Sequence, residues 1–333
     1  MKYGYRLFTI NLLKEHRRTA LPFTTDALHV PDGTAVDDIL NIANANIGVK
    51  YFHPLKHLRY MPEDRNELDP EKDKALTFIS AEHSSGYITF EFRWGKPGSH
   101  DTALSRRDVD VPLGTEAAPS NLFRAVLYLP KGNTKTGILA VETLGRLNVA
   151  SDFIRYISCL LEDYSVAQPL PQPGWWDFRI QPAADANRLE RQLENGTIKE
   201  VKLQVKRVDQ DGRRHEAEKT YTQTAFTDDE AAEVKRTSTS WFRKKITPEM
   251  EDDSDIRDVV AHVAPEVENI DWNDGSITFR TDDGQNKTIS PDDMSAVFQY
   301  HLGTRRPSMM EFIDSSRSTA HALQEPLEIE LDL

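Results

Sequence analysis

The stretch 123-FRAVLYLPKGNTKTGILAVE-142 decides the reading of the fold. Two β-rich runs, Phe123–Leu129 and Thr136–Glu142, flank Pro130-Lys131-Gly132-Asn133, a composition that reverses the chain. They predict an antiparallel hairpin. Working outward, Tyr87–Trp94 and Val109–Leu113 are further short runs of strand character bounded by turn compositions, and Tyr5–Leu13 opens the chain as an apolar strand. Downstream, Phe153, Ile154, Ile157, Leu160 and Leu161 recur at helical spacing, with Ser151 or Asp152 available to cap. Upstream, Thr34–Asn44 reads as a short helix with Asp37 and Asp38 in its first turn, where their charge suits the dipole. The polar run 61-MPEDRNELDPEKDK-74 reads as an exposed loop.

The prolines at 169, 171 and 173 predict an extended connector, which places a domain boundary at residues 166–174. Residues 1–165 then form an N-terminal domain and 175–303 a second one. In the second, Trp175–Gln181 reads as strand, Asp185–Glu194 as helix stopped by Gly196, and Ile198–Val208 as strand, a β-α-β unit. Ile270–Trp272 and Ser276–Arg280 flank Asn273-Asp274-Gly275 as a hairpin, Lys287–Ile289 adds a strand, and Ser290-Pro291-Asp292-Asp293 starts a helix through His301. Residues 304–333 read as an irregular extension whose last residues alternate apolar and acidic, a pattern suited to adding as an edge strand. The fold class is α+β, two domains with mainly antiparallel sheets and packed helices.

A length of 333 residues fits about two domains of ordinary size. The single cysteine, Cys159, allows no intrachain disulfide and no paired-cysteine zinc or redox motif, which points to a reducing cytoplasmic setting. No apolar run approaches the roughly 18 residues that span a bilayer, and the first residues lack the apolar core of a secretion signal, so no membrane role is expected. A net charge of −13 repels polyanions at long range, and any nucleic-acid contact has to come from a local basic face.

Such a face is offered by 226-FTDDEAAEVKRTSTSWFRKKITPEMEDDSD-255. Lys235, Arg236, Arg243, Lys244 and Lys245 supply charge within the basic segment 235–245, and Trp241 supplies a ring on which a base can stack. Lys202 and Lys206 lie on the polar side of strand 200-EVKLQVK-206 and are secondary candidates for phosphate contacts to DNA or RNA. The same cations equally suit internal neutralisation of Asp228, Asp229, Glu230 and Glu251–Asp253. Glu200-x-Lys202 also has the form of a nuclease metal element, with Asp177 or Asp185 as the second carboxylate. His53 and His57 lack further fixed zinc ligands, Cys159 falls on an apolar helix face, and Lys131–Gly137 lacks the order of a phosphate loop. With no catalytic signature, no metal and no cofactor motif, the chain reads as a nucleic-acid-binding protein without chemistry of its own. The alternatives are a protein-interaction or regulatory subunit using its acidic surface, and a metal-dependent nuclease.

The succession FRAVLYLPKGNTKTGILAVETLGRLNVASDFIRYI and then WWDFRIQPAADANRLERQLENGTIKEVKLQV resembles the layout of RexA-like phage-exclusion and related bacterial defence proteins over roughly Phe123–Val205. The resemblance implies a cytoplasmic, DNA-binding homodimer acting in antiphage defence, with a further protein partner from the same system. It carries no individual site residue. This chain departs from that layout in being longer, more acidic and equipped with the 226–255 segment.

Overall fold

A computed structural model describes residues 2–15, 17–49, 51–53, 74–95, 102–103, 111–112, 120–145, 147–167, 174–183, 186–208, 214–246, 272, 274–281, 284, 286–290 and 298–333, with backbone alone at 51–53, 102–103, 111–112, 186–188, 206–208, 214–218, 240–246 and 274. The chain divides into two compact units. The first comprises Met1–Ala183 and Tyr300–Leu333, and the second, Ala184–Gln299, is an insertion within it.

The hairpin forms as expected. Strands β7 (Ser120–Tyr128) and β8 (Thr136–Leu144) pair antiparallel, and Gly132 takes the left-handed φ of 58° that the turn between them requires. β1 (Tyr3–Lys14) lies against β8, and β4 (Tyr87–Gly95), β3 (Lys74–Ser84) and β2 (Tyr51–His53) continue the sheet beyond β7. Residues 102–103 (β5) and 111–112 (β6) form a small separate ladder. Side chains alternate between the two faces as the pleat demands, and both faces are buried. Phe123, Ala125, Leu127, Leu139 and Val141 point into one core with Phe8, Ile10 and Leu12. Val126, Tyr128, Ile138 and Ala140 point into the other with Tyr5 and Leu7. Double coverage is why GILAV reads as a continuous apolar run instead of an alternating one.

Helices α1 (Ala35–Ala45) and α2 (Ala150–Val166) cover the first face. Phe153 of α2 is the centre of that core: its ring lies 4.6 Å from Phe92, 5.2 Å from Phe90 and 6.2 Å from Phe78. Such aromatic contacts add to the area they bury. The second face is covered by a helix within the stretch expected to be irregular, α5 (Met309–Leu323), which follows α3 and α4 of the inserted unit along the chain. Ser308 Oγ accepts from Glu311 N at 3.2 Å and Glu311 Oε2 accepts from Ser308 N at 2.6 Å, a reciprocal cap legible in Ser308-x-x-Glu311. Phe312, Ile313, Ala320 and Leu323 are buried against the sheet. The segment beyond α5 returns to its own sheet, where Leu331 bridges Pro130 of the β7–β8 turn.

The boundary differs from the reading of 1–165 and 175–303. Strand β9 (Trp176–Pro182) belongs to the first unit, where it pairs antiparallel with β1 from Phe8↔Pro182 to Lys14↔Trp176. It therefore does not build a β-α-β unit with the elements after it. Residues 299–301, expected in a helix, belong to strand β14 (Gln299–Gly303), which also pairs with β1, and the Tyr300 ring stacks on Tyr5 at 5.1 Å. Both ends of the insertion thus attach to one edge of β1. The expected helix start at 291–293, the run at 270–271 and most of the loop at 61–74 lie outside the described residues.

The inserted unit has a four-stranded antiparallel sheet in the order β11 (Arg214–Gln223), β10 (Thr197–Val208), β12 (Asp274–Arg280), β13 (Asn286–Ile289). Helices α3 (Ala186–Asn195) and α4 (Asp228–Ile246) pack on one face of it. Leu189, Leu193 and Val234 meet Val201, Leu203, Ile277, Phe279 and Ile289 there. The whole is an α+β fold.

Candidate nucleic-acid interface

Strand parity decides where the candidate cations go. Val201 and Leu203 of β10 are buried under the helices, so Glu200, Lys202 and Gln204 stand on the opposite face. In register, Lys202 sits between Thr222 of β11 and Ser276 of β12, Glu200 lies opposite Thr278, and Gln204 lies opposite Thr220. Thr278 Oγ1 and Thr288 Oγ1 of β13 hydrogen-bond at 2.9 Å. Thr220, Thr222, Arg280 and Thr288 are exposed, and Lys202, Ser276 and Thr278 are half-buried. This face is lined by hydroxyls with Lys202 near its middle and Arg280 on the β12 strand. Lys206 continues β10, its backbone registered on Ala217; its side chain lies outside the described residues.

The basic segment begins on α4. Thr227 and Glu230 form the cap: Glu230 Oε2 accepts from Thr227 N at 2.7 Å and from Thr227 Oγ1 at 2.9 Å, bonds that hold the Glu230 carboxyl below its usual range. Val234, Thr237 and Ser238 are buried, three positions on one helical face turned to the sheet. Lys235 and Arg236 follow from that phase. Lys235 Nζ donates to the Glu194 carbonyl at 2.8 Å, near the end of α3, where carbonyls lack helical partners and favour a cation. Arg236 Nε donates to Glu233 Oε2 at 3.1 Å, and Nη2 also bonds that carboxylate, which raises the Arg236 pKa. α4 packs on the face of the sheet opposite Lys202. The structure therefore does not bring Lys202 together with Lys235 and Arg236. Trp241, Arg243, Lys244 and Lys245 continue α4, and their side chains lie outside the described residues.

Glu200 and Lys202 do share a face, as the nuclease reading requires. Of the two candidates for its second carboxylate, Asp177 belongs to β9 of the first unit, where Oδ1 accepts from Ser158 Oγ at 2.9 Å and from Phe178 N at 2.8 Å, and Asp185 lies outside the described residues. Among the described residues no group of three or more His, Cys, Asp and Glu is placed to hold a metal ion. The Cys159 thiol is half-buried and burial pushes its pKa up to about 11, which leaves little thiolate for nucleophilic work.

The first unit holds buried ionic groups that composition did not mark. Asp38, expected in the first turn of its helix for the sake of the dipole, is enclosed. Its Oδ2 accepts from Leu28 N (2.6 Å) and Trp176 Nε1 (2.8 Å), and its Oδ1 accepts from His29 N and Val30 N (each 3.0 Å). This carboxylate fixes the loop of residues 26–33, which lines a cavity of about 630 Å³. His29 has a lowered pKa because burial outweighs the nearby Asp38 charge and the Gly174 carbonyl, and its ring meets Tyr164 edge-on at 5.0 Å. Asp152 of α2 is clasped by Lys74 Nζ at 2.8 and 2.9 Å and by Trp94 Nε1 at 3.1 Å. On the α5 side, Glu142 is fully enclosed, with Oε2 accepting from Arg306 Nη2 at 2.8 Å, and burial raises its pKa against the pull of Arg306 and Arg124. Tertiary pairing reveals these groups, since Trp176 for Asp38, Lys74 and Trp94 for Asp152, and Arg306 for Glu142 are all remote in sequence.

No protein-family model matches the chain, and no curated protein or solved structure is significantly similar to it. No helix among the described residues is long and apolar enough to cross a membrane.

Proposed function

We propose that the inserted unit binds the phosphodiester backbone of nucleic acid through the open face of its sheet. The observation that carries this reading is the side chain set on that face: Lys202 flanked by the hydroxyl-bearing Thr222 and Ser276, with exposed Thr220, Thr288 and Arg280 around it. Lysine and arginine supply the electrostatic affinity for phosphate, and hydroxyls add hydrogen bonds that carry no sequence information. Lys235 and Arg236 contribute less to the reading than composition suggested, because each already bonds within the fold. The setting in bacterial antiphage defence is supported by the resemblance to phage-exclusion proteins alone.

Filter binding of single-stranded and duplex DNA and RNA at several salt concentrations tests the reading. Affinity should fall steeply with salt, and Lys202→Glu together with Arg280→Glu should weaken binding and lower the salt slope by about 1 for each phosphate no longer neutralised. An Arg243→Glu/Lys244→Glu variant tests the remaining candidate cations on α4. If that variant loses affinity while Lys202→Glu keeps it, the interface belongs to α4. If no salt-dependent binding is seen, the reading fails.

A further inference from the structure

The segment after α5 is bound as a ligand would be. Leu327 N donates to Leu323 O at 3.1 Å and Ile329 N to Gln324 O at 3.0 Å, while Glu328 takes a left-handed φ of 51°, turning the chain back on the sheet. Leu331 N then donates to Gln324 Oε1 at 2.8 Å. Its two neighbours bond main chain to main chain with the β7–β8 turn: Lys131 N donates to Glu330 O at 2.9 Å and Asp332 N to Leu129 O at 3.0 Å. The Leu331 side chain is 6% exposed, enclosed in the core that contains Tyr128 and Leu323. On the far side is the β3–β4 turn, where Gly86, at φ 78°, has no Cβ; one built there would stand 1.6 Å from the Asp332 carbonyl oxygen. Paired main-chain bonds with a single enclosed side chain between them are how sheets take in extended peptides.

We propose that the notch between Gly86 and Leu129–Lys131 is a binding slot for an extended acidic peptide anchored by a leucine, and that residues 329–332 occupy it as an internal competitor. The charge fits: exposed Lys131 borders the slot, and exposed Glu330 and Asp332 flank the anchor. The hold is also small. Two main-chain bonds to the turn, side-chain bonds from Thr134 Oγ1 and to Gln324 Oε1, and Leu331 with Ile329 packed beside it bind weakly on their own, and they stay formed because the tether keeps the segment at a high effective concentration. That tether includes a non-glycine residue in a left-handed backbone, a conformation that opposes docking and that an outside peptide does not need. The slot lies in the first unit and is independent of the nucleic-acid reading.

The test uses the full chain carrying Leu331→Asp, which ejects the anchor without altering α5, and a fluorescent synthetic peptide, LEIELDL, copied from residues 327–333. Anisotropy titration should show the variant binding at least about ten-fold more tightly than wild type, whose own segment competes. Adding Gly86→Ala to Leu331→Asp should abolish binding, since the new methyl occupies the place of the peptide carbonyl. A peptide with aspartate in place of the anchor leucine should not bind. A Leu331→Asp protein with wild-type circular dichroism that ignores the peptide at about 1 mM, or binding indifferent to Gly86→Ala, overturns the proposal. Should Leu331→Asp not fold, amide exchange in wild type decides: Asp332 must exchange faster than the amides of α5, and equal protection overturns the slot. Dimerisation of wild type that free peptide reverses would replace the outside partner by a second copy of this chain.

Discussion

Asp38 is where one side chain decides most. It satisfies three backbone donors and the Trp176 indole at once, in a site 1% exposed. Asp38→Ala strands all four, and at about 1 to 3 kcal/mol for each buried unsatisfied donor the loss should reach about 3 kcal/mol or more. Asp38→Asn retains one acceptor oxygen and should fall between; denaturant melts read both. Next to it, His29 gives a pH dependence of definite sign. Its folded pKa lies below 6.5, so the unfolded chain takes up a proton where the folded one does not. The stability this contributes is complete above 6.5 and is lost as pH falls from there through the lowered folded value. Glu142 acts in the opposite sense. Its raised pKa contributes stability that is complete below 4.5 and lost as pH rises through the folded value. Comparing melting temperatures at about pH 7.5 and about pH 5, His29→Gln should lose less on acidification than wild type. An equal loss would show that another group titrates.

At the scale of elements, the hairpin, α1, α2, α3 and β10 were legible because their patterns are complete within the segment. α5 was not, and its buried face explains why. It docks through hydroxyls as much as hydrocarbon: Tyr128 OH donates to Ile313 O at 3.0 Å and bonds Ser316 Oγ at 2.7 Å, and Tyr5 OH meets Ser315 O at 2.9 Å and Thr319 Oγ1 at 2.7 Å. Ser316 is fully buried, so an inward position reads as polar and the apolar periodicity is diluted. Tyr128→Phe removes the hydroxyl that serves two α5 partners and should destabilise by about 1 to 2 kcal/mol. A thermal melt that moves by less than its error would mean that the tyrosine holds the helix by its ring alone. In the candidate interface, the face that carries Lys202 was legible from period two. That α4 lies behind the same sheet was not, since only tertiary packing places Val234 against Val201 and Leu203.

At the scale of the whole molecule, the chain's path departs most from its local composition. Three prolines looked like a boundary, whereas β9 beyond them returns to β1, from which it is remote in sequence. Local composition holds no record of such a partner. The insertion leaves and rejoins the sheet beside one strand: Pro182 registers on Phe8, and Tyr300 stacks on Tyr5, positions separated along β1 by about 10 Å. Replacing residues 184–299 by about six glycines and serines should therefore leave a first unit that melts cooperatively. A molten product, with secondary structure but no cooperative transition, would mean that the first unit depends on the insertion.

The same geometry sets an order of events during synthesis. β1 leaves the ribosome before β7 and β8, yet β14 and α5 come only after the entire insertion has emerged. The nascent chain consequently carries Tyr5, Leu7, Val126 and Tyr128 on a bare apolar surface while residues 184–299 are being made and are free to fold. Until α5 arrives, that surface is a natural client for a chaperone.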